Sequence, residues 1–320
     1  MSHDSRTRLD FAAHIDFASI LTNPILDIAA RVWEADRYEA FRVCYRSMRR
    51  IDDLVDDLKV AHGVVPTGLA EKVQAEIESW LAMTRHREAT TDEYQQRFIE
   101  TVDRFAVPLW PWERLARAMI YDLHYKGFAN FRVFLRYAEG AAISPAAVFM
   151  HLCGVRKEGE KYVAPRYDIR RAARPLAIFS YLVHIIRDFE KDQRNGLDYF
   201  AADIVRQSGL DSALLHELAV NGANSERLRP LMRKYHRLTG HYRERARQSI
   251  DRTLPYLEER YQLSLELIYS LYSQIYERCD PEATDFSGAA SNPTPEEINA
   301  RVQQTISAFD PTAIPPVSDY

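Results

Sequence analysis

Two groups of aspartates in the sequence have the spacing of one helical turn, and each group could hold a cation. In the first group Asp52 and Asp56 are four residues apart, and Asp53 and Asp57 repeat that spacing one residue later. Residues four apart share a helix face, and like charges at that spacing repel one another. A hard divalent cation such as Mg²⁺, which binds carboxylate and phosphate oxygens, would compensate the repulsion. Taken alone, an aspartate-rich run is more typical of a solvated helix face.

The second group consists of Asp188 and Asp192, again four residues apart, at the end of an apolar segment. Arginines precede both groups, Arg49 and Arg50 in the first and Arg187 in the second. Considered by itself, the second group could be a polar helix end with local ion pairs. Two such groups, each beside an apolar stretch, instead predict facing helices whose carboxylates clamp Mg²⁺ around a diphosphate, with arginines completing the neutralisation.

The elements that must position these aspartates are helices, because apolar residues recur at three- and four-residue spacing along most of the chain. The predicted helical segments are residues 25–59, 69–84, 94–107, 112–125, 131–152, 169–192, 210–220, 228–254 and 257–278. The breaks between them, predicted to be loops, are residues 63–68, 108–111, 154–165, 196–201 and 221–224. No run alternates β-branched with polar residues in the manner of a strand.

Glycine is scarce, with 11 in 320 residues, about half the usual ~7%. Strand-and-turn folds and nucleotide-binding βα units depend on glycine, so its scarcity argues against both. We therefore predict an all-α fold with one catalytic domain over residues 1–280. A polar tail over residues 281–320 would follow it.

The tail contains one helix signal. Thr294 and Glu297, with Pro295 between them, form a capping box that predicts a short helix ending near Phe309. The last residues, rich in proline at 311, 315 and 316, are predicted to be disordered. The tail could be a docking segment, but the general behaviour of chain termini favours a solvated appendage.

Composition excludes several classes of protein. The net charge of −4 gives no indication of a general basic surface, so we expect no nucleic-acid partner. Cys44, Cys153 and Cys279 form no C-x-x-C pair, which argues against a zinc ribbon or a disulfide scaffold and favours a reducing cytoplasm. Residues 1–10 are polar and unlike a secretory signal, and the longest nearly apolar stretch, 175–186, is too short to span a membrane. Any membrane contact is expected to be peripheral.

Across residues 23–279 these features resemble the squalene/phytoene synthase family of head-to-head prenyl synthases. The family's first motif typically reads Tyr-x-x-x-Arg-x-x-Asp-Asp-x-x-Asp, and its second places Arg-Asp four residues before another aspartate and ahead of a tyrosine. A Met-x-x-Asp-Leu motif and a central helix motif lie between them, and a pocket-lining tyrosine comes near the end. The matching residues here are Tyr45, Arg49, Asp52, Asp53, Asp56, Met119, Asp122, Leu123, Tyr137, Arg187, Asp188, Asp192, Tyr199, Leu271 and Tyr272.

The resemblance implies a single-domain helical bundle of the isoprenoid-synthase type with a central apolar cavity. It implies a prenyltransferase that uses Mg²⁺, or Mn²⁺ in its place, to join two farnesyl or two geranylgeranyl diphosphates through a cyclopropyl diphosphate. The product would be of the squalene or phytoene type, and NADPH use is left open. A cytoplasmic monomer or homodimer is expected, with peripheral membrane contact as an option for product release.

The resemblance also implies roles for individual residues. The metal ligands would be Asp52, Asp53, Asp56, Asp188 and Asp192. Catalysis would rest on Asp52, Asp56, Asp188, Asp192 and Tyr45. Substrate would be bound by Arg49, Arg187, Lys191, His184, Tyr181, Tyr199, Asp122 and Tyr272. Aromatic side chains that could line the cavity and stabilise a carbocation, each with ordinary core packing as its alternative, are Phe41, Tyr45, Phe134, Phe149, Phe179, Tyr181 and Tyr272.

The sequence departs from the family's pattern at several positions. Lys191 replaces the usual glutamate of the second motif, and it could contact diphosphate or make a surface ion pair with Glu190 or Asp188. His184 replaces an asparagine, as a polar contact, a base or a packing residue. Pro145 lies in the altered central motif and should kink its helix. Other departures are Tyr181 for glutamine and Leu197 for arginine.

Two further interpretations follow from these departures, and a third is possible in principle. The altered pocket could favour ionisation of a single prenyl diphosphate, as in a terpene synthase. A non-catalytic family member that serves as an assembly subunit is a second option. A di-iron helical bundle would need Glu-x-x-His motifs, and the sequence has none.

Overall fold

The computed structural model of the protein describes residues 10–88, 90–125, 127–221, 225–314 and 317. The predictions for the N-terminus at residues 1–9, for the centre of the 221–224 loop and for the proline-rich end at 315, 316 and 318–320 lie outside the described residues. The division of the chain into a domain and a tail stays a prediction.

The all-α prediction is confirmed, because helices form almost all the regular structure of the described residues. The α-helices are α1 (Asp10–Ala13), α2 (Ile25–Ala30), α3 (Ala35–His62), α4 (Thr67–His86), α5 (Glu93–Arg104), α6 (Trp110–His124), α7 (Phe131–Ala141), α8 (Ile143–Gly154), α9 (Ile169–Arg187), α10 (Phe189–Arg194), α11 (Ala202–Gln207), α12 (Ser212–Val220), α13 (Ser225–Thr253), α14 (Glu259–Arg278), α15 (Gly288–Ser291) and α16 (Pro295–Ala308). Short 3-10 helices lie at Phe17–Ile20, Leu254–Tyr256 and Pro311–Ala313. Part of the predicted loop at 154–165 is instead an antiparallel hairpin of β1 (Arg156–Glu158) and β2 (Lys161–Val163).

Segments predicted as single helices are divided in two at 25–59, 131–152 and 169–192. The break in the second segment, at Ala142, follows from Pro145. Proline has no N–H, and its ring clashes with the carbonyl four residues earlier, here that of Ala141. The kink predicted for Pro145 is therefore a complete break between α7 and α8.

Helix α9 runs through the middle of the bundle and packs against α7, α8, α13 and α14. It is buried on most of its circumference, as its apolar sequence requires, and Ile178, Phe179, Leu182 and Val183 are 0% exposed. Helix α3 packs against α5, α6 and α8. Helix α8 thus lies between the two helices that precede or carry the aspartate groups. None of the described helices is long and apolar enough to cross a membrane.

The tail helix α16 begins at the predicted capping box. The Thr294 hydroxyl accepts from the Glu297 N–H at 3.3 Å, and the Glu297 carboxylate accepts from the Thr294 N–H at 2.7 Å. The helix packs on α14 through fully buried Val302, with Ile298 and Ile306 one turn away on either side. The interpretation of the tail as a solvated appendage is therefore wrong for α16, because its apolar stripe is covered.

Candidate active site

Helix α3 turns one pair of its aspartates toward the interior and the other toward solvent. Asp52 and Asp56 are half-buried beside the apolar face of the helix, whereas Asp53 and Asp57 are exposed. Asp53, predicted as a metal ligand, has a side chain that is 53% exposed and pairs with Arg49. Asp53 therefore points away from the inward-facing pair, and it borders a second cavity together with Arg187 and Lys191.

Arg49 holds the first aspartate group together. Its guanidinium donates to Asp52 at 2.6 Å and also to Asp53. Burial and the neighbouring Asp56 nevertheless raise the pKa of Asp52 to about 7. Burial also raises the pKa of Asp56, against the opposing charge of Lys59. The two inward carboxylates thus have less positive charge around them than their ionised forms require.

The second aspartate group lies at a break between two helices. Helix α9 ends at Arg187 and α10 begins at Phe189, with Asp188 at the junction. The prediction of one continuous helix here is wrong, because Asp188 leaves the helical conformation at φ −93° and ψ 9°. The Asp192 N–H still donates to the Asp188 carbonyl oxygen at 2.8 Å, so the two carboxylates keep their one-turn spacing.

The two carboxylates of the second group have opposite electrostatic surroundings. Although burial opposes ionisation, the two hydrogen bonds that Asp188 accepts from the Arg187 guanidinium hold the pKa of Asp188 well below its usual range. Burial and the charge of Asp188 raise the pKa of Asp192 to about 7. Asp56 of the first group adds to that increase, so the two groups lie within electrostatic reach of each other.

His184 links the second aspartate group to Tyr272 on α14. Arg187 Nη2 donates to His184 Nδ1 at 2.5 Å, and His184 Nε2 lies 3.1 Å from the Tyr272 hydroxyl. Since arginine can only donate, Nδ1 is the acceptor and the neutral ring carries its proton on Nε2. Burial and Arg187 lower the pKa of His184, while burial raises the pKa of Tyr272. Tyr272 therefore accepts from His184 and keeps its own proton for donation.

Lys191 forms no ion pair within the described residues. The predicted alternative of a surface ion pair is wrong, since Glu190 pairs with Arg194 at 2.7 Å and Asp188 is held by Arg187. The Lys191 side chain instead borders a cavity with both polar and apolar lining beside the second aspartate group.

Two cavities meet at Arg49 and His184, which precede the first and the second aspartate group in sequence. The inner cavity, about 170 Å³, lies among α3, α6, α8 and α9 and is mostly apolar, which agrees with the predicted central cavity. The outer cavity, about 740 Å³, lies between residues 21–28, α14 and the start of the tail helix and includes Arg187 and Lys191. The polar or aromatic side chains that border both cavities are Tyr45, Arg49, His184 and Tyr272.

Aromatic side chains surround the inner cavity in two layers. Those that line it are Tyr45, Phe149, Tyr181 and Tyr272. For three fully buried residues, Phe41, Phe134 and Phe179, the alternative of ordinary core packing holds instead. Each of these packs behind a lining ring, with centroids 5.4 Å apart for Phe41 and Tyr45, 5.5 Å for Phe134 and Tyr181, and 6.4 Å for Phe179 and Tyr272. They position the lining rings without reaching the cavity.

Asp122 and Tyr199, two predicted substrate contacts, surround a buried lysine that no motif predicts. Lys59 Nζ is 3.0 Å from Asp122 Oδ1, and the Tyr137 hydroxyl donates to Asp122 Oδ2 at 2.5 Å. The Lys59 ammonium also lies 5.8 Å from the centre of the Tyr199 ring. A signal for Lys59 is its position three residues after Asp56, which continues the inward face of α3.

The carboxylates suit a metal ion that also binds phosphate. Within the described residues, no three acidic, histidine or cysteine side chains converge as a complete ligand set. Mg²⁺ is commonly held by one or two carboxylates, with water and substrate phosphate oxygens completing its coordination. Asp52, Asp56 and Asp192, whose pKa values are raised by burial and by neighbouring carboxylates, fit that mode of binding.

A comparison with known protein families accounts for this arrangement. The family model described as squalene/phytoene synthase matches residues 28–295. This range includes both aspartate groups and the four polar or aromatic side chains that border both cavities. The chain belongs to the squalene/phytoene synthase family. The resemblance drawn from the motifs is thereby confirmed.

Curated relatives in this family include plant enzymes. The chloroplastic phytoene synthase of Narcissus pseudonarcissus is 27% identical over 175 residues, which cover 55% of this chain and 39% of that protein. Phytoene synthase 2 of Solanum lycopersicum is 27% identical over 175 residues, which cover 55% of this chain and 53% of that protein. The chain thus spans about half, or less, of the length of these relatives.

Solved structures share the fold. A dehydrosqualene synthase in complex with a ligand aligns with a TM-score of 0.70 at 16% identity, over 95% of this chain and 97% of that chain. A squalene synthase from Alicyclobacillus acidocaldarius aligns with a TM-score of 0.56 at 13% identity, over 87% and 94% of the two chains. The predicted isoprenoid-synthase-type helical fold is therefore confirmed.

Proposed function

We propose that the protein is a Mg²⁺-dependent prenyltransferase that joins two allylic prenyl diphosphates head to head. The proposed substrates are farnesyl or geranylgeranyl diphosphate, and the proposed product is a squalene- or phytoene-type hydrocarbon or its cyclopropyl diphosphate precursor. The observation that carries the proposal is an apolar, aromatic-lined cavity that has Asp52 in its wall, with the second aspartate group beginning one turn beyond His184 of the same wall. Membership of the squalene/phytoene synthase family supports it.

Cationic side chains around the aspartates suit a diphosphate. Lys191 has no carboxylate partner in the described structure, and it borders the outer cavity together with Arg187 and Arg49. Ammonium and guanidinium groups form strong charge-assisted hydrogen bonds with phosphate oxygens. When bound, Mg²⁺ would neutralise the charge that develops on the departing diphosphate. Tyr272, which keeps its proton, can donate to a diphosphate oxygen from the border between the cavities.

The inner cavity suits the carbocation that loss of diphosphate creates. The rings of Tyr45, Phe149 and Tyr181 line it, and the face of an aromatic ring attracts a cation. A cavity enclosed by apolar side chains also excludes water, which would otherwise quench the cation. These side chains would orient the second prenyl chain and protect the cation until the new carbon–carbon bond forms.

The arrangement of the cavities favours coupling over ionisation of a single substrate. Two cavities that share Tyr45, Arg49, His184 and Tyr272 as a border could each accept one prenyl chain, with both diphosphates near the cationic side chains. Inward carboxylates with raised pKa values weigh against a non-catalytic assembly role. Such carboxylates destabilise the fold when uncompensated, and an assembly subunit has no need to retain them.

The mass of the organic product tests this proposal. The full-length protein should be incubated with each prenyl diphosphate and Mg²⁺, with and without NADPH, and the organic extract analysed by mass spectrometry. We expect a product that contains both prenyl chains, and the NADPH arm shows whether the reaction ends in reduction. A product with a single prenyl chain would overturn the coupling proposal in favour of a terpene-synthase-like reaction.

A further inference from the structure

Six arginines cover one side of the molecule, although the chain as a whole has a net charge of −4. They lie on three neighbouring helices, with two each on α6, α7 and α9. We call this surface the arginine face, and it consists of Arg114, Arg117, Arg132, Arg136, Arg170 and Arg174. The net charge of the sequence conceals this local concentration of positive charge.

Glu139 lies among these arginines and is shared by three of them. Its carboxylate accepts from Arg114 at 3.2 Å, from Arg170 at 2.7 Å and from Arg174 at 3.0 Å. The other three arginines of the face form no ion pair with any described residue. One paired carboxylate therefore lies among six guanidinium groups, and the arginine face has a substantial positive charge.

Aromatic side chains flank the arginines on α6. Trp110, Arg114, Arg117, Tyr121 and Tyr125 follow one another at three- and four-residue spacing and so lie along one side of the helix. A groove of about 320 Å³ between α6 and α7 includes two of these arginines and Tyr121 in its lining. Tyr125, stacked on Tyr121, is 60% exposed. Tryptophan and tyrosine prefer the boundary between the polar and apolar parts of a bilayer.

We propose that the arginine face binds the surface of an anionic phospholipid membrane. The guanidinium group matches phosphate oxygens in a two-pronged geometry and is less strongly hydrated than an ammonium group. Several basic residues on one surface, flanked by interfacial aromatic rings, are the combination that anionic lipid headgroups attract.

The aromatic rings of this face are poorly placed for the alternative of nucleic-acid binding. The Tyr121 and Tyr125 rings stack on each other with centroids 4.9 Å apart, and the Arg114 guanidinium covers Trp110 at 5.4 Å. Each of these rings already has one face occupied, which leaves fewer faces for the base stacking on which single-strand binding depends. The observations therefore favour a membrane as the partner.

The arginine face lies directly outside the inner cavity. Ala118 and Gly140 line the groove, whereas their neighbours on the same helices, Leu115 and Ala141, line the inner cavity. Helices α6 and α7 touch at this wall, since a Cβ at Gly140 would lie 2.2 Å from the Arg114 carbonyl oxygen. A membrane bound here would meet the protein beside its apolar cavity. The advantage of this position for the release of an apolar product rests on the proposed function, but lipid binding itself does not.

Vesicle binding by the full-length protein tests the proposal. We expect cosedimentation with vesicles of phosphatidylcholine and phosphatidylglycerol, weakening as salt is added, and no cosedimentation with phosphatidylcholine alone. Each basic residue contributes roughly fivefold to the partition coefficient at an anionic surface. Reversing the charge of two unpaired arginines, with Arg117→Glu and Arg136→Glu together, should therefore weaken binding at least about 25-fold.

The matched control reverses the charge of Arg227 and Arg237, two exposed arginines in the first half of α13, and should change vesicle binding by no more than about twofold. Circular dichroism verifies that both double variants are folded. Equal binding to both kinds of vesicle, equal losses in the two double variants, or binding of RNA or duplex DNA in place of vesicles would each overturn the proposal. In the absence of vesicles, both double variants should release diphosphate from prenyl diphosphate as fast as the wild-type protein. This assay therefore distinguishes a failure of lipid binding from a failure of the proposed function.

Discussion

The two aspartate groups differ in how their local charges are compensated. On the unbroken helix α3, Arg49 binds Asp52 and Asp53, yet the inward pair Asp52 and Asp56 retains raised pKa values. At the break between α9 and α10, the neighbouring Arg187 binds Asp188 through two hydrogen bonds of 2.8 and 2.7 Å. In the first group, neither inward carboxylate has enough positive charge beside it to offset its burial. In the second group, Arg187 offsets the charge of Asp188, whereas the charge of Asp192 has no such partner among the described residues.

This difference indicates that the two aspartate groups have different roles in binding metal and diphosphate. Asp188 is ionised under all ordinary conditions, whereas Asp192, with a pKa of about 7, needs an additional cation nearby to remain charged. Lys191, between them in sequence, has a free ammonium group for substrate. We infer that the first group contributes mainly carboxylates for metal, while the second contributes carboxylates for metal and a cation for diphosphate.

The largest effect is expected from removing a carboxylate of either group. Asp52→Ala and Asp188→Ala should each lower diphosphate release by about a thousandfold or more, because the charge developing on the leaving group loses its compensation. Asp57→Ala, on the exposed side of α3, is the matched control and should keep nearly full activity. Steady-state kinetics on folded protein provide the measurement. Retained activity in either Asp52→Ala or Asp188→Ala contradicts the metal-binding assignment.

A smaller effect is expected from Lys191→Glu. If Lys191 contacts the diphosphate, reversing its charge should raise KM for the prenyl diphosphate about tenfold, equivalent to ~1.4 kcal/mol. Lys191→Arg should stay close to the wild-type protein because it keeps the charge. Lys72→Glu, at an exposed position on α4, controls for the change in net charge. An unaltered KM in Lys191→Glu would contradict the inference that the second aspartate group supplies a cation for the diphosphate.

His184→Phe tests whether the second group depends on its link to Tyr272. The substitution removes the ring nitrogen that accepts from Arg187 and the ring N–H that donates to Tyr272. We therefore expect about a fivefold loss in kcat/KM, the effect of roughly 1 kcal/mol. His184→Asn retains one donor and one acceptor and should lose less. The idea fails if phenylalanine is tolerated as well as histidine, or if asparagine is as harmful as phenylalanine.

The smallest effect concerns stability and pH in the absence of metal. Because the folded protein raises the pKa of Asp192 to about 7, this group favours folding fully below the ordinary aspartate pKa of about 3.9. That contribution is lost as pH rises through about 7. Asp192→Asn, which stays neutral, should therefore be more stable than the wild-type protein near pH 8 by about 1 kcal/mol, or about 2 °C in Tm.

Below about pH 3.9 the same two proteins should unfold at similar temperatures, since Asp192 is then protonated in both the folded and the unfolded state. Asp57→Asn serves as the exposed control and should show no such dependence on pH. Thermal unfolding followed by circular dichroism at several pH values provides the comparison. Equal stability of Asp192→Asn and the wild-type protein near pH 8 would show that Asp192 is already compensated.

Features that depend on neighbours in the sequence were predictable. Helical periodicity gave the fold class, spacing gave both aspartate pairs, and the capping box at Thr294 gave the start of α16. The break at Ala142 could also be derived, because Pro145 carries its cause. The break at Asp188 could not be derived, since no glycine or proline marks it.

Features that depend on distant contacts were not predictable. Lys59 is buried because Asp122, on another helix, supplies its partner. Periodicity shows that Phe41 and Phe179 face inward, but only packing decides which inward rings reach the cavity. The covered tail helix depends in the same way on α14.

Release of diphosphate tests the central claim most directly. The purified full-length protein should be incubated with farnesyl and with geranylgeranyl diphosphate, in Mg²⁺ and in excess chelator, and the free diphosphate measured over time. We predict steady release with at least one substrate in Mg²⁺ and none in chelator. No release from either substrate in Mg²⁺, by folded protein, would contradict the account.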